Sequence, residues 1–550
     1  MSRIRQLAGR INMAVQQPTS DPQKPAFAAI PSPLLELLPD AGAFANNVKR
    51  SKFIGVLWAL LLSLVCGGLF VLLDLDSAAL PMVFIALFVV PFLLWRYRKL
   101  SLYIIFPAAI LFEVLPSDIS EGFFDQVPFF WNVNTIFQRR GMSFEALPIN
   151  LFELIFLVAG FGNLVRNVYM RTVKIQSGTL IWPFAIYTFM VVLNTVRAFG
   201  EGQDHTIVLQ EIRSQIYLLA MYLFAFNIAD PNKDVRRFAW FFTVCAGIKG
   251  IVYCYRRYVL IAGLPLPDQG VGSHEEAFFF CCFVGLLLAA WLVKMRGSLM
   301  VWLWLLYPAV VLGNLATNRR AGTAALVIAL PILIMAAIRA MPKRRTMAII
   351  LGVLMVTVGP VYYYTFRNSE STIAQPARAI KSHFEPSARD ESSDLYRQAE
   401  SANMMDTIKE SPITTLIGYG YGKPFLKNHP MADISKNYAL WDILPHNQIL
   451  WVWMRTGTVG FIAFWMIIAF ALIRICRLMI LAEKDDNPWS QMLALWAFSI
   501  VVMEILFGLL DLQLSVYRNM IFMGLIIGLV ERALHNRGCT QLVEAKSIAT

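Results

Sequence analysis

Residues 449–473 read ILWVWMRTGTVGFIAFWMIIAFALI, and Arg455 is the one charged side chain in the run. As a helix rising about 1.5 Å per residue, a stretch of this length clears the roughly 30 Å hydrocarbon layer of a bilayer. Apolar runs of this kind recur along most of the chain. About fourteen meet or approach the length of a span: 53–73, 80–95, 102–115, 151–165, 180–195, 208–228, 238–255, 277–293, 299–315, 322–338, 348–364, 449–473, 492–510 and 516–530. The third and fourth are short and suit a tilted or re-entrant course. The expected fold class is an all-α polytopic membrane protein with about 12–14 transmembrane helices.

The composition agrees. Of 550 residues, 57% are hydrophobic and 15% charged, against about 25% charged in soluble domains. The formal net charge is +12. Most cations stand in short loops beside apolar runs, which is the pattern of membrane orientation and argues against nucleic acid as a partner. Cys66, Cys245, Cys254, Cys281, Cys282 and Cys476 fall in or beside apolar runs, and Cys539 lies near the C-terminus. Neither a disulfide framework nor a zinc site is expected from them. No internal repeat of the kind common in transporters stands out.

The cations also set the orientation. Residues 1–50 are polar and proline-rich and read as a mobile cytoplasmic tail without a cleavable signal peptide. Every second loop should then be basic. Those loops hold Arg96, Arg98 and Lys99; Arg166, Arg171 and Lys174; Lys233, Arg236 and Arg237; Lys294 and Arg296; Lys343, Arg344 and Arg345; Arg474, Arg477 and Lys484; and Arg532 and Arg537. Both termini are expected in the cytoplasm. The chain divides into the tail 1–50, a helical bundle 51–365, a long outer loop 366–445, C-terminal helices 446–531 and a second tail 532–550.

The same register places four loops of interest outside: 116–148, 263–276, the tight turn 314–320, and 366–445. The last is long enough to be functional or disordered, and it carries a helix signal. Leu395, Ala399, Ala402, Met405 and Ile408 share one face, with Arg397, Glu400, Asp406 and Lys409 off it. Asp390, Ser392 and Ser393 are candidate caps, and Pro412 is the expected stop. Gly418-Tyr419-Gly420-Tyr421-Gly422 follows and reads as a turn with close backbone approach.

Pro445-His446-Asn447-Gln448 enters the run at 449–473 from outside, and after His446-Asn447 come nine residues and then Gly457-Thr458-Val459-Gly460. This resembles the signature of the O-antigen ligase/polymerase superfamily: a histidine, a small polar residue, nine residues and Gly-x-x-Gly. Arg389, Arg397, Ser411-Pro412 and the glycines Gly418, Gly420 and Gly422 are similar to that family's large periplasmic loop. Asn318-Arg319-Arg320-Ala321-Gly322 is similar to its short arginine motif. The similar region covers 299–530; the earlier spans share only hydropathy and topology with the family.

The resemblance implies a C-type glycosyltransferase-like protein of the bacterial inner membrane. It would move a glycan from a polyprenyl (undecaprenyl) diphosphate carrier to an acceptor hydroxyl at the outer face. The implied partners are the carrier-linked glycan, an acceptor glycan or lipid core, and membrane lipid, with a flippase and a chain-length regulator beside them. The residues fit this chemistry. A leaving diphosphate is an anion at headgroup depth, and the planar arginine fork pairs with phosphate oxygens while never losing its charge. Arg319, Arg320, Arg389, Arg397 and Arg213 are the candidates; Arg139, Arg140, Arg256, Arg257 and Arg455 are placed more loosely. The acceptor hydroxyl needs a base, and the neutral imidazole of His446 can take its proton. No Asp-x-Asp or histidine cluster lies in these four loops, so transfer without a metal or other cofactor is expected.

Each residue also has a structural reading. His446 can be a helix cap or an interface residue. Gly457 and Gly460 can let the helix pack closely on a neighbour. Arg319 and Arg320 can snorkel to headgroups, and Arg389 and Arg397 can lie on a solvated helix face. Arg213, Lys249 and Glu211 are ionisable residues inside spans, functional by default, although either cation can pair with Glu211 or Glu504 as structural glue. His274 is a second outer histidine with weaker spacing. Among function classes, a flippase or transporter should carry charges along a mid-membrane path, and a scaffold would not need His446 at its spacing. The cations here cluster at the outer ends, which favours catalysis on one face. Polymerase and ligase share the donor; the length and long N-terminal segment lean toward a polymerase of O-antigen or exopolysaccharide repeat units.

The outer location of loop 366–445 is testable. A cysteine at Ser382 should react with a membrane-impermeant thiol reagent in intact spheroplasts; labelling only after lysis would invert the topology.

Overall fold

The computed structural model describes residues 92–94, 97–113, 124, 127, 129–132, 148–169, 176–264, 270–273, 275–386, 388–436, 438 and 440–549. The tail 1–50, the span at 53–73, nearly all of that at 80–95, and Arg139, Arg140 and His274 lie outside the described residues.

Every other expected span is a helix. They are α1 (Arg98–Leu111), α2 (Leu151–Tyr169), α3 (Ile181–Gly200), α4 (His205–Ile228), α5 (Pro231–Tyr255), α6 (Glu276–Leu292), α7 (Ser298–Ala316), α8 (Arg320–Ala340) and α9 (Arg345–Phe366). The outer loop contributes α10 (Gln375–Phe384), α11 (Ala388–Ile408) and α12 (Pro412–Ile417), followed by α13 (Gln448–Lys484), α14 (Pro488–Gly508) and α15 (Tyr517–Ala549). Among the described residues, α3, α5, α7, α8, α9, α13 and α14 are long and apolar enough to cross a membrane, and α1, α2 and α6 contain shorter apolar helices. No strand forms among these residues. The chain is an all-α polytopic membrane protein. α15 runs past its expected end at 530 to Ala549, so the segment read as a C-terminal tail continues as helix.

Local sequence sets the helix starts. Asp204 caps α4 by accepting from Thr206 and Ile207, Asp230 and Asn487 cap α5 and α14, and Pro231 and Pro488 follow them in the first turn. α14 is the centre of the bundle, with 83% of its apolar window buried, whereas α9 has 6% buried and lies at the rim. α15 approaches α4 through Gly524 and Gly528, where a Cβ would stand 2.4 Å from Leu218 O and 2.6 Å from Tyr222 O. These glycines are four apart, a small-xxx-small contact that the span count did not register.

The helix ends sort into two sets. At one, Lys99 pairs with Asp234 at 2.8 Å, Lys343 N–H donates to Glu483, Arg474 pairs with Glu531 at 2.7 Å, and Arg537 pairs with Asp485. At the other, Lys249 Nζ lies 2.5 Å from Glu113 and 3.1 Å from Glu276, Arg256 lies 3.7 Å from Glu113, and Arg518 pairs with Glu275 and Glu276 at 2.9 and 2.7 Å. The basic loops prescribe this same sorting, and the charge rule alone assigns the first set to the cytoplasm.

The expected helix of the outer loop exists, but its buried face is rotated. Leu395 is exposed, and the buried stripe is Glu400, Asn403, Met404, Thr407 and Ile408. Counting apolar positions placed Glu400 off the buried face. The polar members are buried because they satisfy backbone of the irregular segment that follows. His446 N–H donates to Glu400, Asn403 exchanges two hydrogen bonds with the backbone of His429, and Leu426 N–H donates to Thr407 Oγ1. Pro412 does not stop this helix. It occupies the first turn of α12, capped by Ser411, whose Oγ accepts from Thr414 N–H.

α13 kinks at Gly457, with φ 67° and ψ −178°, a region essentially restricted to glycine. A Cβ there would stand 2.4 Å from Leu416 O, Ile417 C and Gly418 N. Tyr419 N–H donates to Met454 O at 2.7 Å in the opened turn. Gly460, one turn on, would meet Met190 of α3 at 3.3 Å and the side chain of its own Thr456. Gly457→Ala should therefore cost about 1–3 kcal/mol in backbone strain plus the clash. Thermal scans of purified protein at one scan rate should show a larger drop for Gly457→Ala than for Gly460→Ala; equal drops would mean the kink does not matter.

Candidate functional site

The end of the bundle that carries His446 is organised around the Gly418–Gly422 turn. All three of its glycines have positive φ, at 112°, 96° and 75°, which leaves carbonyls facing inward for side chains to meet. Asn194 of α3 donates to Ile417 O and Arg197 to Gly418 O. Arg455 donates to Gly420 O at 2.8 Å and to Ile443 O at 2.9 Å, and its Nε donates to Glu211 of α4 at 2.8 Å. Glu211 also accepts from Trp451 Nε1 and from Gly422 N–H. Arg455 and Glu211 are both fully enclosed.

This framework fixes the approach to α13. Asn447 caps the helix by accepting from Leu450 N–H at 3.1 Å. His446 precedes it with its ring 26% exposed. Its backbone N–H donates to Glu400 Oε2 at 2.9 Å, and its Nδ1 stands 3.1 Å from Glu400 Oε1. Tyr396, one turn earlier on α11, sets its ring edge-on to the imidazole with centroids 5.9 Å apart. Burial pushes the Tyr396 phenol well above its ordinary range, and the carboxylates of Glu400, Asp442 and Asp433 push it further.

Next to this lies a cavity of about 680 Å³ lined by Asn318, Arg319 and Arg320 at the start of α8, by Ser382 and Phe384 of α10, by Asp394 and Arg397 of α11, and by Asp511. Asn318 turns the chain into α8 with φ 54°, which asparagine tolerates better than most residues. It accepts from Gln375 of α10, and Arg320 donates to Ser382 Oγ at 3.1 Å. Burial pulls the Arg319 guanidinium below its ordinary range; Asp511 and Tyr253 offset this, and Arg397 adds to the pull. Val327 and Ile328 of α8 form an apolar wall and are also exposed on the outer surface of the bundle.

The structure therefore brings together Arg319, Arg320 and Arg397 from segments about eighty residues apart. It does not bring Arg213 to them. Arg213 is enclosed, pairs with Glu153 of α2 at 2.9 Å and donates to Pro148 O. The backbone of Arg389 is in the first turn of α11, and its side chain is outside the described residues. Arg455 and Arg256 are not outward-facing cations but enclosed ones with carboxylate partners. Lys249 pairs with Glu113 and Glu276, and neither Glu211 nor Glu504 is the partner of Arg213 or Lys249. Sequence reasoning missed Glu400, Asp511 and Tyr396. Glu400 sits three residues after Arg397, and that spacing on one helix face was the available signal.

Residues 308–465 match the family model described as O-antigen ligase. The segment holds the arginine motif, the outer loop and His446, and it is narrower than the similar region of 299–530. No curated protein matches the chain. The matched segment, set in an all-helical membrane architecture, supports a likeness to the O-antigen ligase-like superfamily.

Proposed function

We propose that the chain is a glycosyltransferase of the outer face of the bacterial inner membrane. In this reading it moves a glycan from a polyprenyl diphosphate to an acceptor hydroxyl, as a polymerase of O-antigen or exopolysaccharide repeat units. The observation that carries it is the sharing of α11. Arg397 lines the cavity with Arg319 and Arg320, and Glu400, less than one turn on, holds His446. In this reading one helix carries both an arginine of the anion site and the carboxylate that holds the base.

The cavity takes the diphosphate, and the apolar wall of α8 continues from it toward the lipid-facing surface for the polyprenyl chain. Guanidiniums fixed in place before reaction stabilise the charge that develops on the departing diphosphate without rearranging, and they do so in place of a metal ion. His446 receives the acceptor proton. A ligase differs only in taking a lipid core as acceptor, so it uses the same two elements. Among the described residues, the enclosed cations Arg213, Lys249, Arg455 and Arg518 are each matched by a carboxylate at the same end of the bundle and do not trace a path across it, which favours transfer over transport.

His446→Ala should cut transfer by about 10²–10⁴-fold with normal insertion and donor binding; near-normal turnover would remove it from the mechanism. For the cavity, a charge-assisted contact to phosphate is worth about 1.5–3 kcal/mol, so losing one arginine should cost roughly 10–150-fold. Lysine at Arg319, Arg320 or Arg397 should rescue only in part, because a point charge cannot reproduce the fork. Turnover at matched membrane levels is the measurement, and full activity of the Arg319→Ala/Arg320→Ala double variant would make the pair a lipid anchor.

A further inference from the structure

Resting on that reading of His446, we propose that Glu400 is its positioning residue. The Glu400 carboxylate holds the imidazole as the Nδ1–H tautomer and leaves Nε2 bare to face the acceptor hydroxyl.

The geometry is specific. Glu400 is 1% exposed, and both of its oxygens are engaged by the same residue. Oε2 takes the His446 backbone N–H at 2.9 Å, and Oε1 faces Nδ1 at 3.1 Å. Held at two points, the carboxylate cannot swing away from the ring. An ionised carboxylate offers only acceptors, so the ring nitrogen facing it must carry the hydrogen. Which nitrogen of a histidine is protonated is set by the bond the other one makes. Nε2 has no hydrogen-bond partner among the described residues, and the ring keeps an open face. In the transfer, the acceptor oxygen bonds the anomeric carbon as its proton passes to Nε2. The bond from that carbon to the phosphate oxygen breaks, and its electron pair leaves with the diphosphate. The imidazolium so formed faces Glu400, and it later gives its proton to water.

Asn403 and Thr407 supply the contrast. They lie on the same buried stripe and also bind loop backbone, at His429 and Leu426, but neither touches the imidazole. If Glu400 only tethered the loop, it would be their equivalent. Its second oxygen, on Nδ1, is what they lack.

The test is nitrogen NMR of the full chain, purified in detergent with ring-¹⁵N histidine, at alkaline pH. The His446 signals are identified by their loss in His446→Ala. Wild type should show Nδ1 protonated and Nε2 bare. Glu400→Gln should raise the Nε2–H form to the majority, because an amide can donate toward Nδ1. Glu400→Asp should keep part of the Nδ1–H form and provides the comparison should Glu400→Gln fail to insert. Asn403→Ala should leave the tautomer unchanged. With an undecaprenyl-diphosphate-linked oligosaccharide as donor, Glu400→Gln should lose about 10²–10⁴-fold in kcat with donor KM changed only a few-fold; amide replacement of the orienting carboxylate in the serine-protease template costs about 10⁴-fold. Nε2–H in wild type, the same tautomer in wild type and Glu400→Gln, or an equal shift in Asn403→Ala would overturn the proposal. The spectrum requires no turnover, so an active His446→Ala variant would remove the base and is distinguishable from a failure of the Glu400 assignment.

Discussion

One enclosed ion pair holds the His446 end of this protein together. Glu211 of α4 and Arg455 of α13 are cut off from water and meet at 2.8 Å. Neither spends its whole capacity on the other. Arg455 gives two further N–H groups to Gly420 O and Ile443 O, and Glu211 accepts from Gly422 and Trp451. Four separate pieces of chain are thereby fixed to one point. Removing one partner of such a pair strands a charge in a dry interior and costs about 3–5 kcal/mol. A well-packed apolar pair can match its stability, so the gain of the ionic pair is directional. The arginine fork ties the glycine turn, at Gly420 O, to the approach to α13, at Ile443 O.

The cations at this end divide by surroundings. Lys249, Arg256, Arg518, Arg213 and Arg455 are enclosed and face glutamates at short range. Arg319, Arg320 and Arg397 share an open cavity with Asp394 and Asp511. Enclosed charge must be neutralised by the fold itself. Burial pulls the Arg319 guanidinium down, with Arg397 adding to the pull, and an anion arriving from outside would favour its charged form. The kink at Gly457 links the two groups, since it lets α13 present Arg455 inward while its first turn leads to His446.

How much of this the sequence revealed follows from the range of the interactions. Apolar runs mark spans because each is a local property, and α1 through α9 and α13 through α15 stand where those runs are. His446 with Gly457 and Gly460 was legible as a spacing. The convergence of Arg319 and Arg320 on Arg397 was not, because it depends on how α10 and α11 fold back over α8. The pairing of Glu211 with Arg455, two hundred and forty-four positions apart, leaves no periodic trace. Glu400 was misplaced because a helix face was ranked by hydrophobicity, while α11 buries polar side chains to serve a loop without regular structure. Arg213 looked like a ligand because its partner Glu153 lies on a different helix.

That polar stripe on α11 has a consequence for biosynthesis. A chain made from its N-terminus delivers α11 before residues 425–446 and α13 exist. At that moment Glu400, Asn403 and Thr407 have none of the backbone groups they later hold, and the helix has little apolar surface with which to dock. Its settled position must wait for α13 to enter the membrane and bring His446 back against it. The half-synthesised protein therefore has its cations without its histidine, and the two meet only as one of the last acts of assembly.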